Sequence, residues 1–131
     1  MKPFKTYLDE DQTAQYIFAY GTLRRHQRNY YEFDLDKKLT YIYTAVLRGY
    51  KMYDLGGYPC IVETGNNNDK VVGDLFKVKD QSAVEAVRKL ELNAGYIEKE
   101  IEMNDYKVIT FIYEKVPENP VLIPSGSWKE K

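Results

Sequence analysis

One segment of the sequence has the layout of an anion-binding loop. The apolar stretch is Tyr16-Ile17-Phe18-Ala19, and it runs directly into Tyr20-Gly21-Thr22-Leu23 and then into a basic, polar segment. A strand that ends in a glycine-bearing turn leaves successive backbone N–H groups without ladder partners, and such donors can converge on a carboxylate or phosphate. Most such turns bind nothing, so residues 20–23, here named the 20–23 loop, are either an anion cradle or a plain turn.

A second candidate is the carboxyl group of Glu91, which stands at the end of the apolar stripe of a predicted helix. By the helical period it lies next to Val87 and Leu90, whereas two other charged residues of the helix, Glu85 and Arg88, fall on the polar side. Burial disfavours the charged carboxylate and raises its pKa, so that it can accept and return a proton near neutral pH. The alternatives are a solvated glutamate in the last turn, or one paired with Lys89 or Lys99.

Cysteine and histidine chemistry is limited by their numbers. Cys60 is the only cysteine and His26 the only histidine, which excludes an intrachain disulfide, a Cys/His zinc cluster and a site of several histidines. A Cys–His nucleophilic dyad is not excluded by number. However, Cys60 lies in a strand-like apolar stretch, and free cysteines are among the most buried residues. We therefore expect Cys60 to be structural and His26, which lies among arginines, to be solvated.

The bulk properties indicate one globular domain, and the charge balance does not identify a partner. The chain has 131 residues, with 19 Lys+Arg against 20 Asp+Glu, so its formal charge of −1 gives no general attraction to nucleic acid or to an anionic membrane. No stretch approaches the ~20 apolar residues of a membrane span, and the start lacks a signal-peptide core. We expect a cytoplasmic protein, with an extension at residues 1–15 and a domain at residues 16–131. The oligomeric state is left open.

The elements that position these residues are mostly strands. Apolar runs and alternation predict strands at 16–20, 40–54, 60–63, 70–78, 96–103 and 106–115. Gly49 is expected to bend the long strand, Gly73 to mark a bulge, and Asn104-Asp105 to form a hairpin turn.

Two helices are predicted, one weakly and one strongly. Residues 27–33 indicate a short helix, and residues 80–92 a longer one that Asp80 can cap. The apolar stripe of the longer helix contains Ala83, Val84, Val87 and Leu90, with Leu92 as a further candidate. The pattern favours an α+β fold with a largely antiparallel, closed sheet.

Taken in order, several motifs resemble those of the gamma-glutamylcyclotransferase-like family, which includes gamma-glutamylamine cyclotransferases and avirulence-induced-gene-like proteins. The resemblance covers nearly everything from Tyr16 to Trp128. The motifs are Phe18-Ala19-Tyr20-Gly21-Thr22-Leu23-Arg24, Gly49-Tyr50-Lys51-Met52-Tyr53-Asp54-Leu55-Gly56-Gly57-Tyr58-Pro59, Val72-Gly73-Asp74-Leu75-Phe76-Lys77-Val78, Leu90-Glu91, Tyr113 and Ile123-Pro124-Ser125-Gly126-Ser127-Trp128.

The resemblance implies a small, mostly antiparallel β-barrel flanked by helices, with a cavity at its mouth. It implies that Glu91 points into this cavity as the catalytic acid/base, and that Trp128 packs as a lid or plug. The substrate-binding residues that it implies are Tyr20, Gly21, Thr22, Leu23, Asp54, Pro59 and Tyr113. No metal or cofactor is implied.

The implied activity is cyclisation of a γ-glutamyl amine or γ-glutamyl peptide to 5-oxoproline, with release of the attached amine. Three positions depart from the family pattern, since this chain has Arg88, Leu92 and Glu98 where an acid, a glycine and an arginine are common. These departures keep an alternative open, which is a protein of the same fold that binds a small carboxylate without converting it.

Overall fold

The computed structural model describes residues 15–129, which contain eight strands and three helices. The extension predicted for residues 1–15 therefore lies outside the described residues except for Gln15. No helix among residues 15–129 is both long and apolar enough to span a membrane. In chain order the elements are β1 (Tyr16–Ala19), α1 (Arg28–Glu32), α2 (Leu35–Lys38), β2 (Leu39–Arg48), β3 (Tyr50–Asp54), β4 (Pro59–Glu63), β5 (Lys70–Val78), α3 (Gln81–Asn93), β6 (Ile97–Met103), β7 (Tyr106–Ile112) and β8 (Leu122–Ile123).

The strands form two adjoining sheets. The larger has the order β2-β5-β1-β7-β6 and the smaller β4-β3-β8, and every pairing is antiparallel except that of β1 with β7. A single bridge between Val62 and Tyr113 joins the sheets on one side. On the other side, the amide of Val72 in β5 donates a hydrogen bond to the carbonyl of Gly126, three residues after β8, at 2.7 Å. The predicted α+β class with a mostly antiparallel sheet is confirmed, although no continuous ladder closes a barrel among residues 15–129.

Two glycines have different effects on the long strands. Gly49 has a φ of +91° and separates β2 from β3, so the predicted bend is where the chain passes from one sheet to the other. The predicted bulge at Gly73 is wrong, because the register shift lies on β2 between Tyr41 and Tyr43. Gly73 is needed for close packing instead, since a Cβ there would lie 2.5 Å from the ring of Phe18.

Helix α3 has the cap and most of the apolar face that the sequence predicts. The Asp80 side chain accepts a hydrogen bond from the Ser82 amide at 2.9 Å, and Ala83, Val84 and Val87 are buried. Leu92 does not belong to this face, because it is 50% exposed.

Cys60 and His26 lie where the sequence predicts. Cys60 is fully buried in β4, and burial raises the pKa of its thiol to about 12, so the reactive thiolate is scarce at neutral pH. His26 is exposed, and its Nδ1 lies 2.7 Å from the Tyr31 hydroxyl. The two residues share no hydrogen bond within the part of the chain that the structure describes. The Trp128 side chain is buried, as a packing role requires.

Candidate active site

A cavity of about 220 Å³ opens at the end of β1. Its wall is built from β1 and the 20–23 loop, the start of α1, the loop before β4, the end of α3, and β7. The lining residues are Ile17, Phe18, Ala19, Tyr20, Gly21, Thr22, Leu23, Arg28, Asn29, Tyr58, Pro59, Leu90, Glu91, Ala94, Tyr96 and Phe111. The cavity thus brings together the 20–23 loop and Glu91, two separate candidates from the sequence, with Pro59, which the family resemblance implied.

The 20–23 loop is held by a turn and by α1. The Arg24 amide donates to the Gly21 carbonyl at 3.0 Å. Asn29 binds Thr22 twice, because its amide donates to the Thr22 carbonyl at 2.9 Å and its Nδ2 to the Thr22 hydroxyl at 2.7 Å. Among the hydrogen bonds of residues 15–129, none uses the backbone amides of residues 21–23. The loop that lines the cavity therefore carries backbone donors that have no partner among the described residues.

Gly21 also permits a close approach between two walls of the cavity. A Cβ at this position would lie 2.7 Å from Cγ of Pro59 and 2.9 Å from its Cδ. Such distances are too short for carbon atoms, so a side chain here would push the 20–23 loop away from the Pro59 ring. The absence of a side chain at Gly21 therefore permits these two walls of the cavity to lie close together.

The Glu91 carboxyl lies half-buried in the last turn of α3 and lines the cavity. Burial raises its pKa from an ordinary 4.5 to about 7. No hydrogen bond to its side chain occurs among residues 15–129, and Lys99, one of the partners considered for it, pairs with Glu63 instead. Its backbone carbonyl accepts hydrogen bonds from the amides of Ala94 and Tyr96, both at 3.1 Å. The helix end is thus fixed, while the carboxyl is available for proton transfer.

Two buried tyrosines flank the cavity with their hydroxyl protons already committed. The Tyr20 hydroxyl donates to the Phe111 carbonyl at 2.6 Å, and the Tyr96 hydroxyl donates to the Pro59 carbonyl at 2.5 Å. Burial raises the pKa of both phenols well above their ordinary value, so they stay protonated. Since each hydroxyl has only one proton, the two oxygens can offer a ligand nothing but lone pairs.

Asp54 and Tyr113, both expected to bind substrate, lie outside the cavity lining. The Asp54 carboxylate accepts hydrogen bonds from the next two glycine amides, at 2.7 and 3.3 Å, and so shapes the turn that leads to Pro59. The Tyr113 hydroxyl donates to the Ala94 carbonyl at 3.2 Å, and its ring packs on Tyr96 with centroids 4.8 Å apart. Both residues therefore support residues that line the cavity.

Three residues line the cavity without having been predicted as site residues, and these are Tyr96, Arg28 and Asn29. Tyr96 directly follows Gly95, two residues after the end of α3, and an aromatic residue so close to Glu91 in the chain was the available signal. Arg28 and Asn29 begin α1, in a basic run that looked like solvated surface. The exposed Arg28 side chain also donates to the Gly57 carbonyl at 3.3 Å. Arg28 and Glu91 are the two charged side chains of the lining.

The three departures from the family pattern lie away from the lining. Arg88 in α3 and Glu98 in β6 form a bidentate ion pair, with nitrogen to oxygen distances of 2.7 and 3.0 Å. Leu92 is exposed. These three residues therefore contribute no side chain to the cavity lining.

No group of three or more His, Cys, Asp or Glu side chains among residues 15–129 is arranged to hold a metal ion. The polar groups of the lining are therefore a carboxyl, a guanidinium, an amide side chain, hydroxyls and backbone amides. These groups can bind an anion and transfer a proton.

Comparisons with known proteins find relatives over most of the chain. The family model described as "Gamma-glutamyl cyclotransferase, AIG2-like" matches residues 17–130. A Vibrio cholerae protein named "Putative gamma-glutamylcyclotransferase" is 27% identical over 122 residues, which cover 88% of this chain and 96% of that protein. A gamma-glutamylcyclotransferase family protein from Citrobacter rodentium is 26% identical over the same length and coverage.

Among solved structures, an AIG2-like protein from Mus musculus superposes with a TM-score of 0.72 at 17% identity, over 88% of each chain. An uncharacterized protein from Pyrococcus horikoshii gives a TM-score of 0.70 at 23% identity, over 86% of this chain and 88% of that one. These structures share the fold of this chain.

Proposed function

Because the chain belongs to the gamma-glutamyl cyclotransferase, AIG2-like family, we propose that it cyclises the γ-glutamyl group of a small-molecule substrate to 5-oxoproline and releases the attached amine. The observation that supports this most is the content of one cavity. It combines the half-buried carboxyl of Glu91 with the backbone amides of residues 21–23, and none of these groups has a hydrogen-bond partner within residues 15–129. A γ-glutamyl group needs both, since its α-carbon carries a carboxylate and an ammonium.

In the proposed complex the α-carboxylate binds the backbone amides of the 20–23 loop, and the α-ammonium faces Glu91. The hydroxyl oxygens of Tyr20 and Tyr96 can accept hydrogen bonds from the ammonium, because their own protons bind backbone carbonyls. The attached amine then lies towards the exposed rim, where Arg28 and Tyr58 line the cavity. Asp54 and Tyr113 do not contact the substrate in this complex, and they act by holding residues that line the cavity.

The reaction proceeds by proton transfer and ring closure. Ionised Glu91 removes a proton from the α-ammonium, and the free amine attacks the γ-carbonyl to form a five-membered ring. Glu91 gives this proton to the leaving nitrogen as the carbon–nitrogen bond breaks. The α-nitrogen loses its second proton on becoming the ring amide, and the released amine takes up a proton to become ammonium. No cofactor takes part in these steps.

The cavity contributes by holding the substrate in the curled form that reacts. Well-oriented intramolecular reactions reach effective molarities of about 10⁵–10⁸ M, so positioning lowers the barrier substantially. The carboxyl of Glu91 suits both proton steps, because a pKa of about 7 leaves it partly ionised and partly protonated at neutral pH.

A substrate panel tests the proposal. The protein is incubated with γ-glutamyl amines, including γ-glutamyl-lysine, and with γ-glutamyl peptides, and 5-oxoproline is measured. We expect release from at least one of them, and loss of about 10²-fold or more in kcat for Glu91→Gln, because this variant keeps the shape but cannot transfer a proton. Glu85→Gln, on the exposed side of the same helix, is the matched control.

Two results would count against the proposal in different ways. No 5-oxoproline from any substrate, together with measurable binding of 5-oxoproline, would favour the alternative of a carboxylate-binding protein of this fold. Full activity of Glu91→Gln would instead refute the role of that residue.

A further inference from the structure

Asp74 in β5 is a buried acid for which the proposed mechanism has no use. It is 2% exposed, and it is one of two buried polar or charged residues among residues 15–129, the other being Thr110. Its carboxylate accepts three hydrogen bonds, from the Arg25 amide at 2.9 Å, from the Arg24 guanidinium at 3.3 Å and from the Thr44 hydroxyl at 3.1 Å.

Stability alone is a weak explanation for this arrangement. Burying a carboxylate and a guanidinium costs solvation energy that their attraction only partly offsets, and apolar replacements of such pairs are often neutral or stabilising. The Arg24 side chain is itself only 16% exposed, so this pair bears that cost. The contacts of Asp74 indicate another reason for retaining it.

Those contacts hold both ends of the segment that contains the 20–23 loop. The backbone of Asp74 is the antiparallel ladder partner of Ala19, the residue just before the loop. Its side chain binds the amide of Arg25 and the guanidinium of Arg24, just after the loop. One residue therefore fixes where the loop leaves β1 and where it turns away, and the unused amides lie between these points.

We propose that Asp74 is a positioning residue that holds the 20–23 loop in the shape that receives the substrate's carboxylate. The inference rests on the proposed function, because the carboxylate is that of the γ-glutamyl group. Asp74 touches no reacting atom in this scheme. Its removal should weaken binding and leave proton transfer by Glu91 intact.

Binding of 5-oxoproline, which retains the carboxylate, tests the inference by calorimetry. In Asp74→Asn the side-chain NH₂ group faces one of the groups that donated to the carboxylate, so that hydrogen bond is lost. We expect the Kd for 5-oxoproline and the KM to rise about tenfold or more, as is typical for the loss of a charged hydrogen bond. We expect kcat to stay within about threefold and its pH dependence to be unchanged, because Glu91 is untouched. If Asp74 only stabilised the fold, its replacement would not raise Kd and KM while leaving kcat and its pH dependence unchanged.

Asp80→Ala is the matched control, because it also removes an acid that accepts a backbone amide, at a site away from the cavity. Its Kd for 5-oxoproline should equal that of the unmodified protein. Should Asp74→Asn fail to fold, Thr44→Val removes one donor from an exposed position and should raise the Kd about threefold.

The outcomes separate this inference from the function on which it rests. If folded Asp74→Asn, or Thr44→Val where only that variant folds, has the same Kd for 5-oxoproline as the unmodified protein, the role of Asp74 is refuted. The proposed function is not affected by that result. Absence of both binding and turnover in the unmodified protein would overturn the proposed function and this inference with it.

Discussion

Replacing Glu91 with glutamine should stabilise the folded protein while it lowers kcat, and the gain in stability should depend on pH. Glutamine has nearly the shape of glutamate but never carries its charge. In the folded protein, burial favours the neutral carboxyl and raises its pKa to about 7. The unmodified protein therefore bears a penalty for ionising this group that the variant avoids.

The sign and size of the effect follow from the two pKa values. Below pH 4.5 the carboxyl is protonated in both states, and the unmodified protein suffers no penalty. As the pH rises towards 7, the unfolded chain ionises first, so stability is lost progressively until the folded group has ionised too. The penalty is about 2 kcal/mol at pH 6 and about 3 kcal/mol at pH 8.

Urea denaturation at several pH values from 4 to 8.5 measures this difference. We expect Glu91→Gln and the unmodified protein to have nearly equal free energies of unfolding at pH 4. The variant should then gain steadily and level off above pH 7. Glu85→Gln is the control and should show no such trend, because Glu85 is exposed. In the same range, kcat/KM of the unmodified protein should fall as the pH drops below about 7, as ionised base is lost.

A difference in unfolding free energy that does not change with pH would refute the reasoning. It would mean that Glu91 is well solvated when ionised. The carboxyl would then have an ordinary pKa and be ionised at neutral pH, and so could not donate a proton there, whatever its distance from the substrate.

Three further substitutions test parts of the cavity and its surroundings. Gly21→Ala would place a Cβ 2.7 Å from Cγ of Pro59, so we expect the loop to shift and KM to rise about tenfold or more, measured by steady-state kinetics with thermal melting to check the fold. Tyr96→Phe leaves the buried Pro59 carbonyl without its donor and should cost about 1–3 kcal/mol in urea unfolding, with a lower kcat; unchanged stability would contradict the 2.5 Å bond. For Arg88 and Glu98, a double-mutant cycle to alanine should give a coupling of about 1 kcal/mol or less and unchanged kcat/KM, because the pair is on the surface and outside the lining; a large loss of activity would show that these departures matter to the site.

Local patterns in the sequence were sufficient to predict most elements of the fold. The cap at Asp80, the bend at Gly49 and the hairpin turn at Asn104-Asp105 were each predicted from residues adjacent in the chain. The bulge at Gly73 was mistaken because a glycine in a strand has two explanations. Only the position of Phe18 on the neighbouring strand shows that close packing is the right one.

The candidate site was predictable to the extent that its parts are contiguous. The 20–23 loop, Pro59 and Glu91 lie in motifs and come together in the cavity. Tyr96 has its role through a hydrogen bond to Pro59, 37 positions away, and Asp74 through a hydrogen bond to Arg25, 49 positions before it. Such roles depend on which strands become neighbours, and the sequence pattern does not specify this.

The parallel pairing of β1 with β7 has a consequence for how the molecule folds. The Thr110 hydroxyl reaches the Phe18 carbonyl across 92 positions of the chain, and the Tyr20 hydroxyl reaches the Phe111 carbonyl across 91. Contacts of such long sequence separation slow folding, because the intervening chain must be ordered before they form. Until β7 arrives, one edge of β1 is unpaired and open to association with other chains. The part of the cavity wall that contains Phe111 is thus completed only when β7 pairs with β1.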